Sequence, residues 1–246
     1  MRNKFLVAVL VVATGTFFAW QYFNRATIKT LRPFDTTKPF ILFDFDGTLV
    51  DSFDTVLEVY NEVAGNVNAV QISPAEKAGL RHLHMKEILA KFKVPWHKVP
   101  FLRTQVIKGM SKYITHLQMV PGISEVLEAL KVQEYTLGIV TSNSEALVRN
   151  VLASNGINVF DVIYEDHSMF GKHHVIKRFL NTFNLSPARV IYVGDEVRDI
   201  EAAHKAGIKV LAVTWGFNAQ ELLLKASPDG LAQAPAMLPQ AIKALL

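Results

Sequence analysis

Four groups of polar residues in this 246-residue chain carry side chains suited to chemistry. Asp44 and Asp46 flank Phe45 and precede Gly47-Thr48. Thr141-Ser142-Asn143 follow, then Gly171-Lys172, then Gly194-Asp195-Glu196-Val197-Arg198-Asp199. A carboxylate can act as a nucleophile, as a proton donor or acceptor, or as a ligand for a hard cation. Lysine adds a compact positive charge. In an extended segment alternate side chains share a side, so Asp44 and Asp46 can face one pocket while Phe45 turns into the core. An EF-hand calcium loop would put its glycine sixth and a glutamate twelfth, and neither holds here. Singly, the other groups have plain structural uses. Thr141-Ser142-Asn143 is a good helix N-cap, Lys172 a solvated lysine, and Asp195 and Asp199 suit the opening of a helix. Their order and placement together are what such uses do not supply.

The elements that must position these groups are legible around them. Phe40 to Phe43 is an unbroken apolar run, as a strand buried on both faces of a parallel sheet reads. In open α/β sheets the site lies beyond the carboxyl ends of the strands. From about residue 54 to 118 the pattern is helical. Residues 54–62 form one helix, Ser73-Pro74-Ala75-Glu76 opens another with a capping-box acid, and 101–117 is a third after breaks at Pro95 and Pro100. Connections within a sheet are normally a few residues long, so this block reads as an inserted cap. After Pro121-Gly122, helices at 124–131, 144–155, 173–183 and 199–206 alternate with strands at 136–140, 160–164, 190–193 and 209–213. A helix over 236–246 closes the chain. This alternation predicts an α/β fold: a Rossmann-like, three-layer parallel sheet core with an inserted α-helical cap.

Composition narrows the function. Half the residues are apolar, and the net charge is +4. No dense Lys/Arg block or aromatic-basic interleaving is present, which argues against a nucleic-acid partner and for a small anionic substrate. With no cysteine, disulfides and thiolate chemistry are excluded. Oligomeric state is not legible.

Phe5 to Asn24 is twenty uncharged residues between Arg2/Lys4 and Arg25, enough for a helix to cross a bilayer core of about 30 Å. Trp20 and Tyr22 suit the interface. The competing reading, a cleaved signal peptide, needs small residues at both positions of its cleavage site, and Ala19 has Phe17 two before it. The expectation is an N-terminal transmembrane helix as a single-pass membrane anchor. Flanking charges favour a cytoplasmic catalytic domain by about one charge. The expected organisation is therefore anchor 1–25, tether 26–38, core 39–53 and 119–246, and cap 54–118.

Asp44-Phe45-Asp46-Gly47-Thr48, Thr141-Ser142, Lys172, and Gly194-Asp195 through Asp199 resemble, in order, the four motifs of the haloacid dehalogenase-like hydrolase superfamily. The resemblance runs from about residue 40 to 246, and the helical insertion is similar to that superfamily's C1-type cap. Pro121-Gly122 and Thr214-Trp215-Gly216-Phe217 resemble its phosphoglycolate phosphatase branch.

The resemblance implies a Mg²⁺-dependent phosphomonoester hydrolase working through an aspartyl phosphate on a small phosphorylated metabolite, nominally phosphoglycolate. Asp44 would be the nucleophile and Asp46 the general acid and base, a residue the family's dehalogenases lack. Thr141, Ser142 and Lys172 would bind phosphate, with Thr141 and Lys172 part of the catalytic set. The implied metal ligands are Asp44, Asp46 through its main-chain carbonyl, and Asp195, with Asp199 acting through water or Lys172. Charge agrees: like charges 4 Å apart repel by about 4 kcal/mol at an effective dielectric near 20, so carboxylates and a phosphate dianion need cations between them. Arg81, His82, His84 and Lys86 form a cationic cluster in the cap, read either as substrate-binding or as a solvated basic face. Glu196 stands where this motif more often has a small hydroxyl residue, and is expected to face solvent. His173 and His174 are expected to point apart, and Trp215 and Phe217 to be core. The alternatives are a β-phosphoglucomutase-like phosphotransferase and a non-catalytic membrane-anchored binding module on the same fold.

Overall fold

The computed structural model describes residues 27–165 and 171–246. In chain order its elements are β1 (Thr27–Thr30), β2 (Phe40–Phe43), α1 (Phe53–Val63), α2 (Lys77–Leu80), α3 (Met85–Lys91), α4 (Val99–Met110) and α5 (Ile123–Val132). They continue with β3 (Thr136–Thr141), α6 (Glu145–Ser154), β4 (Val162–Glu165), α7 (Lys172–Phe183), β5 (Val190–Gly194) and α8 (Val197–Ala206). β6 (Lys209–Val213), α9 (Gln220–Lys225), β7 (Gly230–Ala232) and α10 (Leu238–Leu245) complete the chain, with short 3₁₀ turns between.

The strands form one sheet in the order β1-β4-β3-β2-β5-β6-β7, parallel throughout except for β1. β2 lies at its centre, with Phe43 level with Ile139 of β3 and Val193 of β5. The chain winds outward to one side through β3 and β4, then returns to the other side at β5. That reversal opens a crevice at the carboxyl ends of β2 and β5.

All four β2 residues are fully buried because both faces of the sheet are covered. Phe40 and Leu42 pack with Ile176 and Phe179 of α7 and with Ile200 and Ala203 of α8. Ile41 and Phe43 face the other way, into a cluster with Leu127 of α5, Val148 and Val151 of α6, and Ile242 of α10. The period-2 alternation of a strand thus divides one apolar run between two helical layers.

Between β2 and α5 every named element is helical, as expected. This insertion has small apolar clusters of its own, one around Phe53, Leu80 and Phe92 and one around Leu89, Val99 and Leu102. It is also continuous with the core, since Val59 and Met110 join the cluster that contains Ile41. The helix expected over 101–117 is α4 followed by a 3₁₀ stretch, Ser111–His116.

The segment expected to be a tether is partly sheet. Thr27–Thr30 pairs antiparallel with β4, from Thr27 opposite Glu165 to Thr30 opposite Val162. Arg32 Nη2 then donates to the main-chain and side-chain oxygens of Asn158, both at 2.9 Å. Phe34 packs edge-on against Phe40 and Phe183 at 5.4 and 5.0 Å. Four residues with one apolar side chain carry too little pattern to be read as a strand, yet they cover the edge that β4 would otherwise leave open. β7 and α9 escape a sequence reading for the same shortness. The expected anchor lies outside the described residues, and among those described no helix is long and apolar enough to cross a membrane.

A loose tether contributes nothing to folding stability, whereas a docked one does. Phe34→Ala is expected to cost about 2 kcal/mol in urea unfolding through lost aromatic packing, and no change would return this segment to tether status.

Candidate active site

Each functional side chain sits where the sheet delivers it. Asp44 follows β2 directly, and its N–H donates to Val193 O (2.8 Å), continuing the ladder to β5. Asp195 follows β5, one strand over. Asp199 is in the first turn of α8, where its Oδ2 accepts the N–H of Glu196 (3.1 Å). All three are buried, and oxygens from the three lie within 4.8 Å of one another. Lys172, the first residue of α7, bridges two of them: Nζ donates to Asp44 Oδ2 at 2.9 Å and to Asp199 Oδ1 at 2.6 Å.

Asp195 is gripped by one side chain and one main-chain group. Its Oδ1 accepts from Thr48 Oγ1 (2.7 Å) and its Oδ2 from the Phe217 N–H (2.6 Å). Gly47 has φ +74°, and a Cβ there or on Gly216 would run into the Asp195 carboxylate. Trp215 Nε1 donates to Thr48 O (3.1 Å), tying the two flanking loops together.

Asp46 is held separately. Asn143 Nδ2 donates to its Oδ2 (2.6 Å), and the Asn143 N–H donates to Thr141 Oγ1 (3.1 Å). Asp46 Oδ1 is buried without a hydrogen bond; Ser52 lies near enough to lower its pKa without closing one. Thr141 is fully buried and Ser142 half-buried beside it at the tip of β3. The structure thus gathers Asp44, Asp46, Thr141, Ser142, Lys172, Asp195 and Asp199 at one end of the sheet.

The electrostatics follow from burial. Burial pushes the Asp44 carboxyl up to about 7, opposed by the Lys172 ammonium and reinforced by Asp199. Asp195 is raised well above the ordinary range by burial and then by the neighbouring carboxylates of Glu196, Asp199 and Asp44. Burial raises Asp46 too, against the pull of Ser52 and Asn143. Lys172 would be lowered by its own burial, but Asp199 and Asp44 outweigh that and hold it protonated.

With all three carboxyls ionised, one ammonium would leave two negative charges uncompensated at the convergence of Asp44, Asp195 and Asp199. The donors are all hard carboxylate oxygens, the set preferred by Mg²⁺ over softer metals. The residues present therefore fit a divalent hard cation.

The cap cluster does not behave as four free cations. Arg81 turns to the core, donating from Nη1 to Trp215 O (3.2 Å) and Gly216 O (2.5 Å). His84 caps α3, its side chain accepting from the helix while its N–H donates to Glu87 Oε2 (2.7 Å). His82 is exposed with Nδ1 4.0 Å from Glu221, and Lys86 is exposed and makes no ion pair among the described residues.

Two further expectations are corrected, and a third is extended. Glu196 is buried: its Oε1 takes Arg198 Nε (2.9 Å) and Nη2 (2.5 Å), and its side chain caps α8. A paired, capping acid has less to lose on burial than the unpaired one the expectation assumed. The rings of His173 and His174 lie against each other, 3.9 Å between centroids, because the first turn of a helix splays neighbours less than a strand does. Trp215 and Phe217 are more than core filling, since each donates a hydrogen bond at the site. Asn143, Thr48 and the Phe217 N–H are the functional groups sequence reasoning missed. The first two lie inside the polar groups already singled out; a main-chain N–H leaves no sequence signal.

The haloacid dehalogenase-like hydrolase family matches residues 41–213. A phosphoglycolate phosphatase of Synechococcus elongatus is 35% identical over 208 residues, spanning 84% of this chain and 98% of that protein. A phosphoglycolate phosphatase of Haemophilus influenzae is 28% identical over 76% of this chain and 90% of its own. The solved structure of a haloacid dehalogenase-like family protein from Streptococcus pneumoniae superimposes with a TM-score of 0.69 at 27% identity, over 85% of this chain and all (100%) of that one.

With divalent cations chelated, the folded protein keeps a proton on Asp44 up to about pH 7, while the unfolded chain releases it near pH ~4. A folded-state pKa raised in this way gives stability that is present below the unfolded value and lost as pH climbs through the folded one. Chelated protein is therefore expected to lose resistance to urea between about pH 4 and pH 7, and Asp44→Asn to flatten that slope. Equal slopes in the two proteins would refute this electrostatic account.

Proposed function

Because this chain belongs to the haloacid dehalogenase-like hydrolase family, we propose that it is a magnesium-dependent phosphomonoester hydrolase that works through an aspartyl phosphate on Asp44. The observation that carries this is the placing of two carboxylates with separate partners: Asp44 on Lys172, Asp46 on Asn143. One is paired with a cation, which opposes the upward push of burial on its pKa and favours the ionised form that a nucleophile needs. The other is buried on a neutral amide with a raised pKa, as a proton donor needs.

In the first step a carboxylate oxygen of Asp44 attacks phosphorus, the ester O–P bond breaks, and the leaving oxygen takes the proton of Asp46. In the second, Asp46 takes a proton from water, whose oxygen attacks phosphorus and releases Asp44. Splitting the displacement in this way replaces one hard step with two easier ones. The ammonium of Lys172 has three donors, two of them spent on Asp44 and Asp199, and the third is available to a phosphate oxygen. Thr141 Oγ1 accepts from Asn143, so its proton is free to be donated. Ser142 lies at the start of the same turn, where main-chain N–H groups suit phosphate. A magnesium ion, for which Asp44, Asp195, Asp199 and the Asp46 carbonyl are the proposed holders, would offset the residual negative charge and keep Asp44 ionised.

The substrate we propose is a small phosphorylated metabolite with a second anionic group, on the model of phosphoglycolate. Support comes from the two phosphoglycolate phosphatases to which the chain is similar. The helical insertion acts as the cap over the site. Phe5 to Asn24 we take to be a membrane anchor, supported by its twenty uncharged residues.

Asp44→Asn is expected to lower turnover of phosphoglycolate by at least about a thousandfold, and chelation to abolish it until Mg²⁺ is restored. Retained turnover in the variant would remove Asp44 as nucleophile. For the anchor, intact protein should remain with the membrane fraction through a high-salt wash; full release by salt would dismiss it.

A further inference from the structure

The insertion meets the core at a seam that leads directly to Asp195. Arg81, the residue after α2, donates from Nη1 to the carbonyl oxygens of Trp215 and Gly216. Its own carbonyl accepts the Ala219 N–H at 2.7 Å. Its guanidinium carbon lies 4.4 Å from the centroid of Phe53, whose ring in turn meets Phe217 edge-on at 5.2 Å. The segment 215–217, held in this way from the insertion side, meets Asp195 from the core side through the Phe217 N–H, and Trp215 ties the same segment to the Thr48 carbonyl.

The Gly216 carbonyl and the Phe217 N–H belong to one peptide unit. That unit is planar and trans, so its oxygen and its hydrogen point in opposite directions. A guanidinium fixed on the oxygen therefore aims the N–H at Asp195 Oδ2. A charged donor on the carbonyl also polarises the amide and strengthens its N–H as a donor. Gly216 has no side chain of its own to fix the angle of that peptide.

We propose that Arg81 is a positioning residue that orients the Asp195 carboxylate for cation binding through the Gly216–Phe217 peptide, so that cation affinity depends on the docking of the insertion. This rests on the reading of Asp195 as a magnesium ligand. It replaces the reading of Arg81 as a substrate-binding cation, and the two differ in what they predict. A substrate contact alters the KM for substrate and leaves the apoprotein untouched. A positioning contact alters cation affinity and the Phe217 amide with no substrate present.

The test uses the full chain in mild detergent, titrated with MgCl₂ by calorimetry, with the Phe217 amide followed in a ¹H–¹⁵N spectrum. Arg81→Met is expected to weaken Mg²⁺ binding about tenfold, the usual scale for groups that orient a ligand, and to move the Phe217 amide proton upfield. Arg81→Lys keeps a donor but not the planar fork, so a loss of about threefold is expected. It also carries the test if the methionine variant does not fold. Unchanged affinity and an unmoved Phe217 amide in a folded variant overturn the proposal. A wild-type protein that binds no Mg²⁺ overturns the metal reading beneath it, an outcome distinct from wild type and variants binding alike.

Discussion

Buried negative charge at the carboxyl end of β2 is the constraint to which the surrounding elements answer. Asp44, Asp195 and Asp199 bring three carboxylates together, and Lys172 supplies one ammonium between two of them. The lysine sits at the amino end of α7, where the helix dipole disfavours a cation by about 0.3–1 kcal/mol. Two charge-assisted hydrogen bonds, each worth about 1.5–3 kcal/mol, outweigh that. The amino end of α8 does the reverse, presenting its positive pole to Asp199. Strand order matters for the same reason: only where the winding reverses do two neighbouring strands end with their following helices on opposite sides, leaving room for the cluster.

Geometry at Asp195 is set by main chain and side chain together, one on each oxygen. Among the described residues Thr48 is the one side chain that touches its carboxylate by hydrogen bond; the other contact is an amide, and two glycines allow the loops to close around it. Asp46 has the opposite arrangement, one amide side chain on one oxygen and a bare second oxygen. A ligand must hold still in one geometry, whereas a proton carrier has to exchange partners between steps. The rigid cradle and the half-open one suit these two tasks.

Much of this was legible in the sequence, and the gaps have physical causes. Phe40 to Phe43 gave the central strand because a run buried on both faces needs no alternation. The polar groups at the strand ends gave the site because the topology forces those ends together. Asn143 was within view as a helix cap, but its partner Asp46 is far off in the chain, and pairwise contacts of that kind have no local pattern. The grip of residues 215–217 depends on peptide orientation, which any residue type could supply. β1, β7 and α9 are too short for a period to show. Arg81 stands out in the sequence for its charge and reads there as either substrate-binding or solvated, whereas the partner it meets is a pair of carbonyls.

Glu196 shows how an acid can be added to such a cluster without raising its charge. It lies at the N-cap of α8, where its side chain and that of Asp199 satisfy main-chain N–H groups reciprocally. Arg198, two residues on, takes the same carboxylate through two guanidinium nitrogens. The pair is neutral as a unit, and Arg198 still lends attraction to Asp44 and Asp46, easing their ionisation. A hydroxyl at this position could cap the helix but could not hold the guanidinium. The acid therefore serves to fix Arg198 beside the site, and the two positions have to be read together: loss of Glu196 alone would free the Arg198 cation, and loss of Arg198 alone would leave the Glu196 carboxylate unpaired beside Asp195.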